Sequence, residues 1–339
     1  MQFEIKKEKI SLQIAGFTIV ELLVVIVVIA ILAAITAVAY SGIQQRAHIA
    51  SLQSDLEQSS KQLEIYKATI NSDQYPIDLS AANLKSSSGT TYSYSALSSS
   101  GSVNNAYCLN AVNGNVTGFI TSSFPRFTPG SCTGLIGWWP LNGDSTDRSG
   151  YGNTGAVHGT TLSTGYSGHD DSAYSFNGTS SDYIAIPYVD QSILKSNSFG
   201  SSWTLTIWAK WGGISTNEGV LIGRQGCNGG IYEYSNKYAF AIKGEGCWTD
   251  AQTIYGTALD TSWHFFVATY QAGLMSFYED NSLQGTANLV NMYNYSDAFG
   301  IGSGGSSGYT FNGLLDDARI YNRTLLSAEI SALYAGGAR

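Results

Sequence analysis

The longest apolar stretch of the chain lies close to its N-terminus. Between Phe17 and Tyr40 the only charged residue is Glu21, and lysines at positions 6, 7 and 9 precede the stretch. A helix of about 20 apolar residues is what the hydrocarbon core of a bilayer requires. Basic residues on one flank keep that flank on the cytoplasmic side. The pattern predicts a membrane-spanning helix with a cytoplasmic N-terminus.

A second helical pattern follows the apolar stretch. Apolar side chains recur at helical spacing among polar ones, at Ile49, Leu52, Leu56, Leu63, Tyr66 and Ile70. A single apolar stripe on a solvated helix favours packing against a small sheet. Gly42 lies between the two patterns and weakens a helix by roughly 1 kcal/mol relative to alanine, which predicts a bend or local melting there when the subunit assembles. Asn71 and Pro76 mark the end of the helix.

Beyond the helix the pattern changes to short strands separated by turn residues. Tyrosine-rich runs near 91–97 and 106–121 predict a small head over residues 71–134, which with the long helix makes an α+β unit. Further strand-like runs occupy 203–211, 219–224, 238–243, 263–270, 274–280 and 314–321, and 279–282 reads as a hairpin turn. Many short strands with almost no helix predict an all-β sandwich or jelly roll over residues 135–339.

The strand at 203–211 shows the alternation most clearly. Every second residue is apolar, namely Trp203, Leu205, Ile207, Ala209 and Trp211. Successive side chains of a strand point to opposite faces, so these five would share the face that packs on the core.

Composition narrows the classes of function. Charged residues make up 12% of the chain, the formal net charge is −8, and glycine and tyrosine number 38 and 22. Few charges with many small polar and aromatic residues are typical of a secreted β-rich protein. No basic stripe is present to neutralise phosphates, which argues against nucleic acid as a partner.

Four cysteines lie at positions 108, 132, 227 and 247. Three pairings are open, and the sequence does not choose among them. The local pairing of Cys108 with Cys132 and of Cys227 with Cys247 would place one bridge in each half of the chain. In an exported protein two structural disulfides are expected.

The residues around the start of the apolar stretch carry a specific signal. The segment from Gly16 to Glu21 reads GFTIVE and resembles the prepilin peptidase recognition motif of type IV pilins and pseudopilins. The resemblance implies that residues 1–16 are a leader removed by prepilin peptidase and that Phe17 is then methylated. Residues 17–70 would be the membrane and assembly helix. A generic signal anchor with a stray glutamate is the alternative.

The same resemblance implies a role for Glu21. Its carboxylate would pair with the α-amino group of Phe17 in a neighbouring pilin subunit, inside the apolar filament core. The expected partners are therefore the membrane before assembly, prepilin peptidase and other pilin subunits.

Residues 135–339 carry a second resemblance. The segments at 137–153, 173–187, 202–211 and 311–334 together resemble the laminin-G-like/concanavalin A-like jelly-roll family of bacterial surface proteins. The resemblance implies a jelly roll that ends in a short helix, for which Ser327 is the expected N-cap and Glu329 lies in the first turn. This fold hosts sugar binders, protein binders and inert spacers alike.

The jelly-roll resemblance also implies a structural Ca²⁺ ion. Calcium prefers several carboxylate, amide and carbonyl oxygens, and the candidate ligands are Asp144, Asp147, Asn177 and Asp316, with Asn153 and Asp317 as further options. Adjacent residues of a strand point to opposite faces, so Asp316 and Asp317 are not expected to serve one site. The alternative is that these residues form turns and bond their own backbone.

A ligand site is expected between residues 224 and 250. A rim loop closed by Cys227 and Cys247 would present aromatic and polar side chains, namely Arg224, Tyr232, Tyr234, Glu245, Trp248 and Asp250. An aromatic face with a few fixed polar groups suits a sugar. The alternative is that these aromatic side chains belong to the core.

An enzyme is not expected, because the four histidines lack a metal-hydrolase spacing and no motif supports a pair of catalytic carboxylates. The favoured function is a minor pilin whose lectin-like domain binds a glycan or surface protein. Its bulk favours low abundance or a tip position in the filament, whereas Glu21 argues against a strict tip position, since a first subunit has no preceding neighbour to pair with. Two alternatives remain: a structural or priming pilin or secretion pseudopilin with a non-catalytic cap, and a surface-tethered hydrolase.

Overall fold

The structure is a computed structural model. It describes residues 18–70, 73–99, 102–187, 202–214, 218–224, 229–242, 252–289, 299–304 and 309–337. The chain divides into two compact units, Met1–His48 and Ile49–Arg339. The predicted leader, residues 1–16 with Gly16 at its end, lies outside the described ranges, as do Phe17, Asn71, Cys227, Glu245, Cys247, Trp248 and Asp250.

The first element is helix α1, Ile19–Ile70. It begins with a reciprocal cap, because Glu21 Oε2 accepts hydrogen bonds from Thr18 N at 2.9 Å and from Thr18 Oγ1 at 2.7 Å, while Thr18 Oγ1 accepts one from Glu21 N. The window Ile19–Thr36 has a mean hydropathy of 3.1 and is long and apolar enough to cross a membrane. The helix continues through Gly42, and the bend or local melting predicted there on assembly stays a prediction.

The head contains a four-stranded antiparallel sheet in the order β1-β2-β3-β4. The strands are β1 (Thr90–Ser99), β2 (Ser102–Asn113), β3 (Val116–Thr121) and β4 (Phe124–Pro129). The predicted run 106–121 therefore contains two strands, because Gly114 adopts a φ of 58° and reverses the chain. The sheet has two more strands than the sequence pattern indicated, and the assignment of residues 71–134 as a pilin head stays a prediction.

Alternation gives the head sheet two apolar faces. Tyr107, Leu109 and Ile120 form one cluster with Leu52 and Leu56 of α1. Their strand neighbours Cys108 and Phe119 point the other way and join a different cluster. The stripe predicted on α1 thus packs on the sheet, and the opposite face of the sheet is also covered.

The remaining strands form a sandwich of two antiparallel sheets. They are β5 (Leu135–Trp139), β6 (Ala156–His158), β7 (Thr161–Ser163), β8 (Ala173–Asn177), β9 (Tyr183–Ile186), β10 (Ser202–Trp211), β11 (Glu218–Arg224), β12 (Gly230–Tyr234), β13 (Lys237–Ile242), β14 (Gln252–Ala258), β15 (Trp263–Gln271), β16 (Leu274–Glu279), β17 (Ser282–Asn288), β18 (Phe299–Ile301) and β19 (Asn312–Tyr321). One sheet has eight strands in the order β17-β16-β15-β10-β19-β8-β7, with β5 also paired to β19. The other has seven, in the order β14-β13-β12-β11-β18-β9-β6.

The main core lies between these two sheets. Trp203, Leu205, Ile207 and Ala209 of β10 are buried in it, and Trp211 packs against it, which confirms the face predicted from their alternation. The hairpin turn at 279–282 is also confirmed, since Asp280 and Asn281 adopt positive φ between β16 and β17. The jelly-roll prediction is therefore correct both in class and in the positions of its recognisable strands.

The outer face of the eight-stranded sheet is covered in part by helix α2, Ser327–Gly336. The N-cap is Leu326, one residue before the expected Ser327. The helix does not use a serine cap, because Glu329 accepts the Leu326 N–H at 2.9 Å while its other oxygen holds Arg323 at 2.6 Å. The first-turn position predicted for Glu329 is correct.

The same outer face also packs on the head. Trp138 of β5 is fully buried, and its ring centroid lies 5.7 Å from that of Phe119 and 5.0 Å from that of Phe124. The disulfide Cys108–Cys132 belongs to this cluster. Thr121 Oγ1 donates to the Arg148 carbonyl at 2.5 Å, and Arg323 Nε donates to the Thr133 carbonyl at 2.7 Å. The predicted boundary at 134/135 thus runs through a shared core.

A head mutation tests this shared core, because all seven tryptophans lie after residue 134 and their fluorescence follows the unfolding of the sandwich, although Trp138 also contacts Phe119 directly. We expect Phe119→Ala to destabilise the protein by about 3–5 kcal/mol and to lower the midpoint of the tryptophan-fluorescence transition in denaturant. Ile77→Ala, at a head residue that is 79% exposed, is the control and should leave the midpoint unchanged. An unaltered tryptophan transition in Phe119→Ala would mean that the two parts unfold independently.

Candidate functional site

The outer face of the seven-stranded sheet carries a group of polar and aromatic side chains. In β12, Ile231 is in the core, so Tyr232 and Tyr234 point outward. In β13 and β14, Phe240 and Ile254 are in the core. Side chains of a strand alternate between its two faces, so Lys237 and Tyr255 point outward. We call the five outward residues Glu218, Tyr232, Tyr234, Lys237 and Tyr255 the tyrosine face.

Strand register brings these side chains side by side. Tyr234 lies opposite Lys237 on one side and opposite Glu218 on the other. The Tyr234 and Tyr255 rings are stacked with centroids 6.3 Å apart, and Lys237 Nζ lies 5.8 Å from the Tyr255 centroid. Tyr255 is 42% exposed. The face therefore offers an open aromatic surface with one cation and one carboxylate beside it.

Two of the predicted ligand residues are less accessible than a rim site requires. Arg224 is only 1% exposed, because it lies at the end of β11 between β12 and β18. Tyr232 donates its hydroxyl to the Arg224 carbonyl at 3.1 Å, and burial raises the pKa of Tyr232. Of the described candidates, Tyr234 is outward-facing and half-buried, but it lies on the face of the seven-stranded sheet, and its role in ligand binding stays a prediction.

Sequence reasoning missed Lys237 and Tyr255. The alternation in KYAFAI and in the start of QTIYGTA could have found them, because each has an apolar core residue next to it. The predicted contributions of Glu245, Trp248, Asp250 and the Cys227–Cys247 bridge lie outside the described residues and stay predictions.

The proposed calcium ligands in the first loop hold the loop itself together. Asp144 accepts the Thr146 N–H at 2.9 Å and pairs with Arg148 at 2.9 Å. Asp147 is buried and accepts hydrogen bonds from three backbone N–H groups, those of Trp138, Ser149 and Asn153. These contacts agree with the alternative that such residues stabilise turns.

The other candidate ligands are also engaged within the protein. Asn177 Oδ1 accepts the Thr179 N–H at 2.8 Å, and Asn153 Nδ2 donates to the Ile136 carbonyl at 3.0 Å. Within the described ranges no group of three or more His, Cys, Asp or Glu side chains is placed to hold a metal. The calcium ion stays a prediction.

Asp316 and Asp317 do not point to opposite faces as expected. A bulge shifts the register between β10 and β19 at this point, and Asp317 adopts a φ of 43°. Both carboxylates consequently turn to the outer face, where Asp317 binds Arg319 at 2.7 Å and accepts the indole N–H of Trp138 at 2.7 Å.

The buried carboxyl group of Asp316 has fewer polar partners than that of Asp317. It is 1% exposed and accepts the Tyr166 N–H at 3.0 Å. Burial, together with the neighbouring charge of Asp317, raises the pKa of Asp316 to about 8. The carboxyl group is therefore largely protonated at neutral pH.

His264 bears on the hydrolase hypothesis. Its Nδ1 lies 2.7 Å from Asp280 Oδ2 and its Nε2 lies 3.1 Å from Asp260 Oδ1. The hydrogen bond to Asp280 is the largest effect that raises the pKa of His264, which reaches about 9. An imidazole that is protonated at neutral pH and bonded at both nitrogens has no lone pair for general-base catalysis. This arrangement argues against a hydrolase centred on His264.

The variant Asp316→Asn distinguishes two possibilities for Asp316, a protonated carboxyl group and a calcium ligand. Because folding raises the pKa of Asp316 from 3.8 to about 8, the carboxyl group stabilises the folded state in full at pH values below 3.8. This contribution is lost as the pH rises towards about 8. The asparagine cannot ionise, so at pH 9 we expect its free energy of unfolding to exceed that of the unsubstituted chain by at least ~1.4 kcal/mol, the equivalent of one pKa unit. The difference should shrink at pH 4.

Denaturant titrations of both chains at the two pH values, with calcium or with chelator, provide the measurement. A variant that is destabilised in calcium, and only there, would contradict the protonated state and support Asp316 as a calcium ligand.

Two family profiles match separate parts of the chain. A family profile for the prokaryotic N-terminal methylation motif matches residues 13–37. A profile for the concanavalin A-like lectin/glucanases superfamily matches residues 176–331. No curated protein matches the chain.

Solved structures with low sequence identity match about three fifths of the chain. The receptor-binding domain of botulinum neurotoxin C/D mosaic serotype is 16% identical with a TM-score of 0.48, over 60% of this chain and 51% of that one. The binding domain of Paraclostridial Mosquitocidal Protein 1 is 14% identical with a TM-score of 0.48, over 59% and 52%. The chain thus spans about half the length of these binding domains. It carries a prokaryotic N-terminal methylation motif on an apolar helix and, after a small sheet, a concanavalin A-like domain.

Proposed function

We propose that the chain is a type IV pilin-like subunit whose concanavalin A-like domain is an adhesion module for a glycan or a surface protein. The observation that carries the proposal is the tyrosine face, an open aromatic surface on a lectin-like sandwich. The N-terminal methylation motif supports the filament part of the proposal.

Processing and assembly would follow from the N-terminal segment. Prepilin peptidase would cut between Gly16 and Phe17, and the methylated chain would stay in the membrane through the Ile19–Thr36 segment until it enters a surface filament. Glu21 caps its own helix through Thr18. The amino group of Phe17 from a neighbouring subunit would then join a carboxylate that is already fixed in orientation.

The tyrosine face has the chemistry that sugars require. Stacked tyrosine rings offer apolar area for a pyranose face, and their hydroxyls can bond its rim. Lys237 beside Tyr255 adds a cation, and Glu218 adds an acceptor across β12. Few polar groups around an aromatic surface give orientation and specificity without a deep pocket.

The bulk of the sandwich favours a minor subunit. More than half of the residues follow the head, and a domain of this size is hard to repeat along a tightly packed filament. We place the protein at low abundance in the filament, with the tip as the position that its size favours most.

Substitution of the stacked ring tests the adhesion module. We expect Tyr255→Ala to weaken binding to an immobilised glycan at least tenfold, about 1.4 kcal/mol, because the open aromatic surface is lost. The full chain in detergent would be applied to a broad glycan array and to immobilised host-cell extract, with and without a calcium chelator.

Leu283→Ala is the matched control, because Leu283 is 54% exposed but lies on β17 of the eight-stranded sheet. It should bind as the unsubstituted chain does. No binding by the unsubstituted chain to any surface would favour a structural or priming pilin. Polysaccharide turnover would instead revive the hydrolase.

A further inference from the structure

The unit Ile49–Arg339 is built as a succession of layers. Residues 49–70 of α1 pack on one face of the head sheet through Leu52, Leu56 and Leu63. The opposite face of the head sheet, through Cys108 and Phe119, packs on the outer side of the eight-stranded sheet. The inner face of the eight-stranded sheet packs on the seven-stranded sheet.

The attachment of the sandwich to the head has several independent contacts. Trp138 lies between Phe119 and Phe124 of the head and the guanidinium of Arg319, which is 4.8 Å from its ring. The backbone after the last strand returns to the head, where Asn322 N donates to the Gly134 carbonyl at 2.8 Å. Such contacts along the whole junction oppose rotation of the sandwich about a single linker.

Among the described residues, one large sheet face is open to a partner. The head and α2 both cover the outer side of the eight-stranded sheet, whereas on the outer side of the seven-stranded sheet Lys237 and Tyr255 are exposed and Tyr234 is half-buried. In this order of packing, two sheets, the head sheet and the eight-stranded sheet, separate the sheet that carries the tyrosine face from residues 49–70 of α1.

We infer that the tyrosine face is held in a fixed orientation on the side of Ile49–Arg339 opposite residues 49–70 of α1, so that a subunit that packs in the filament through those residues exposes the face at any position along the filament. The inference rests on the proposed function in one respect, namely that residues 49–70 of α1 are the part of this unit that faces the filament. Access to a ligand then depends on the layer order rather than on a tip position.

Cysteine labelling of assembled filaments tests the orientation. Lys237→Cys and Gln53→Cys introduce single exposed positions on the tyrosine face and on α1. Each full chain would be treated with a maleimide on a large polyethylene glycol, both in detergent and in sheared filaments, and the unsubstituted chain would give the background from native cysteines.

We expect Lys237→Cys to react in filaments within twofold of its rate in detergent, and Gln53→Cys to react at least tenfold more slowly in filaments. Protection of Lys237→Cys in filaments would overturn the inference, as would a freely reactive Gln53→Cys. Tyr255→Cys is a second position on the same face, should Lys237→Cys fail to fold.

The outcome is separable from that of the adhesion proposal, because labelling needs no ligand. An exposed face that binds nothing would remove the adhesion function and leave the orientation. A tyrosine face that binds glycan in detergent but is protected from labelling in filaments would leave the adhesion function and remove the proposed orientation.

Discussion

The burial of Trp138 between the head and the sandwich is the interaction on which the architecture depends. Its ring contacts Phe119 and Phe124 on the head side and Arg319 on the sheet side, while its indole N–H is satisfied by Asp317. A large aromatic side chain buried at such a contact contributes several kcal/mol. A buried carboxylate next to it is tolerated because Arg319 neutralises it. One cluster of side chains therefore buries the Trp138 ring and neutralises the Asp317 carboxylate.

The bulge in β19 makes that cluster possible. A regular strand would direct Asp316 and Asp317 to opposite faces and bury one carboxylate in the apolar core. The extra residue turns both outward, where one finds Arg319 and Trp138 and the other is neutralised by protonation. The cost is a non-glycine residue at positive φ. The protein therefore accepts local backbone strain in exchange for a satisfied junction.

The N-terminal segment and the sandwich have different roles in the proposed function. The methylation motif and apolar helix concern processing and assembly, and the sandwich supplies the surface for a partner. The head sheet lies between residues 49–70 of α1 and the sandwich, because it has apolar residues on both faces. Polar loop residues such as Asp144 and Asp147 fix the turns that let β5 reach the junction.

The sequence by itself determined the elements whose signals are local. Period-two alternation located β10, helical spacing located the stripe on α1, and the segment from Gly16 to Glu21 identified the pilin-like start. Only the tertiary structure decided that Arg224 is interior, that Lys237 and Tyr255 lie beside Tyr234, and that Glu329 replaces a serine cap. These features depend on strand register, a bulge and contacts between distant segments, and no local pattern of residues specifies which strands become neighbours.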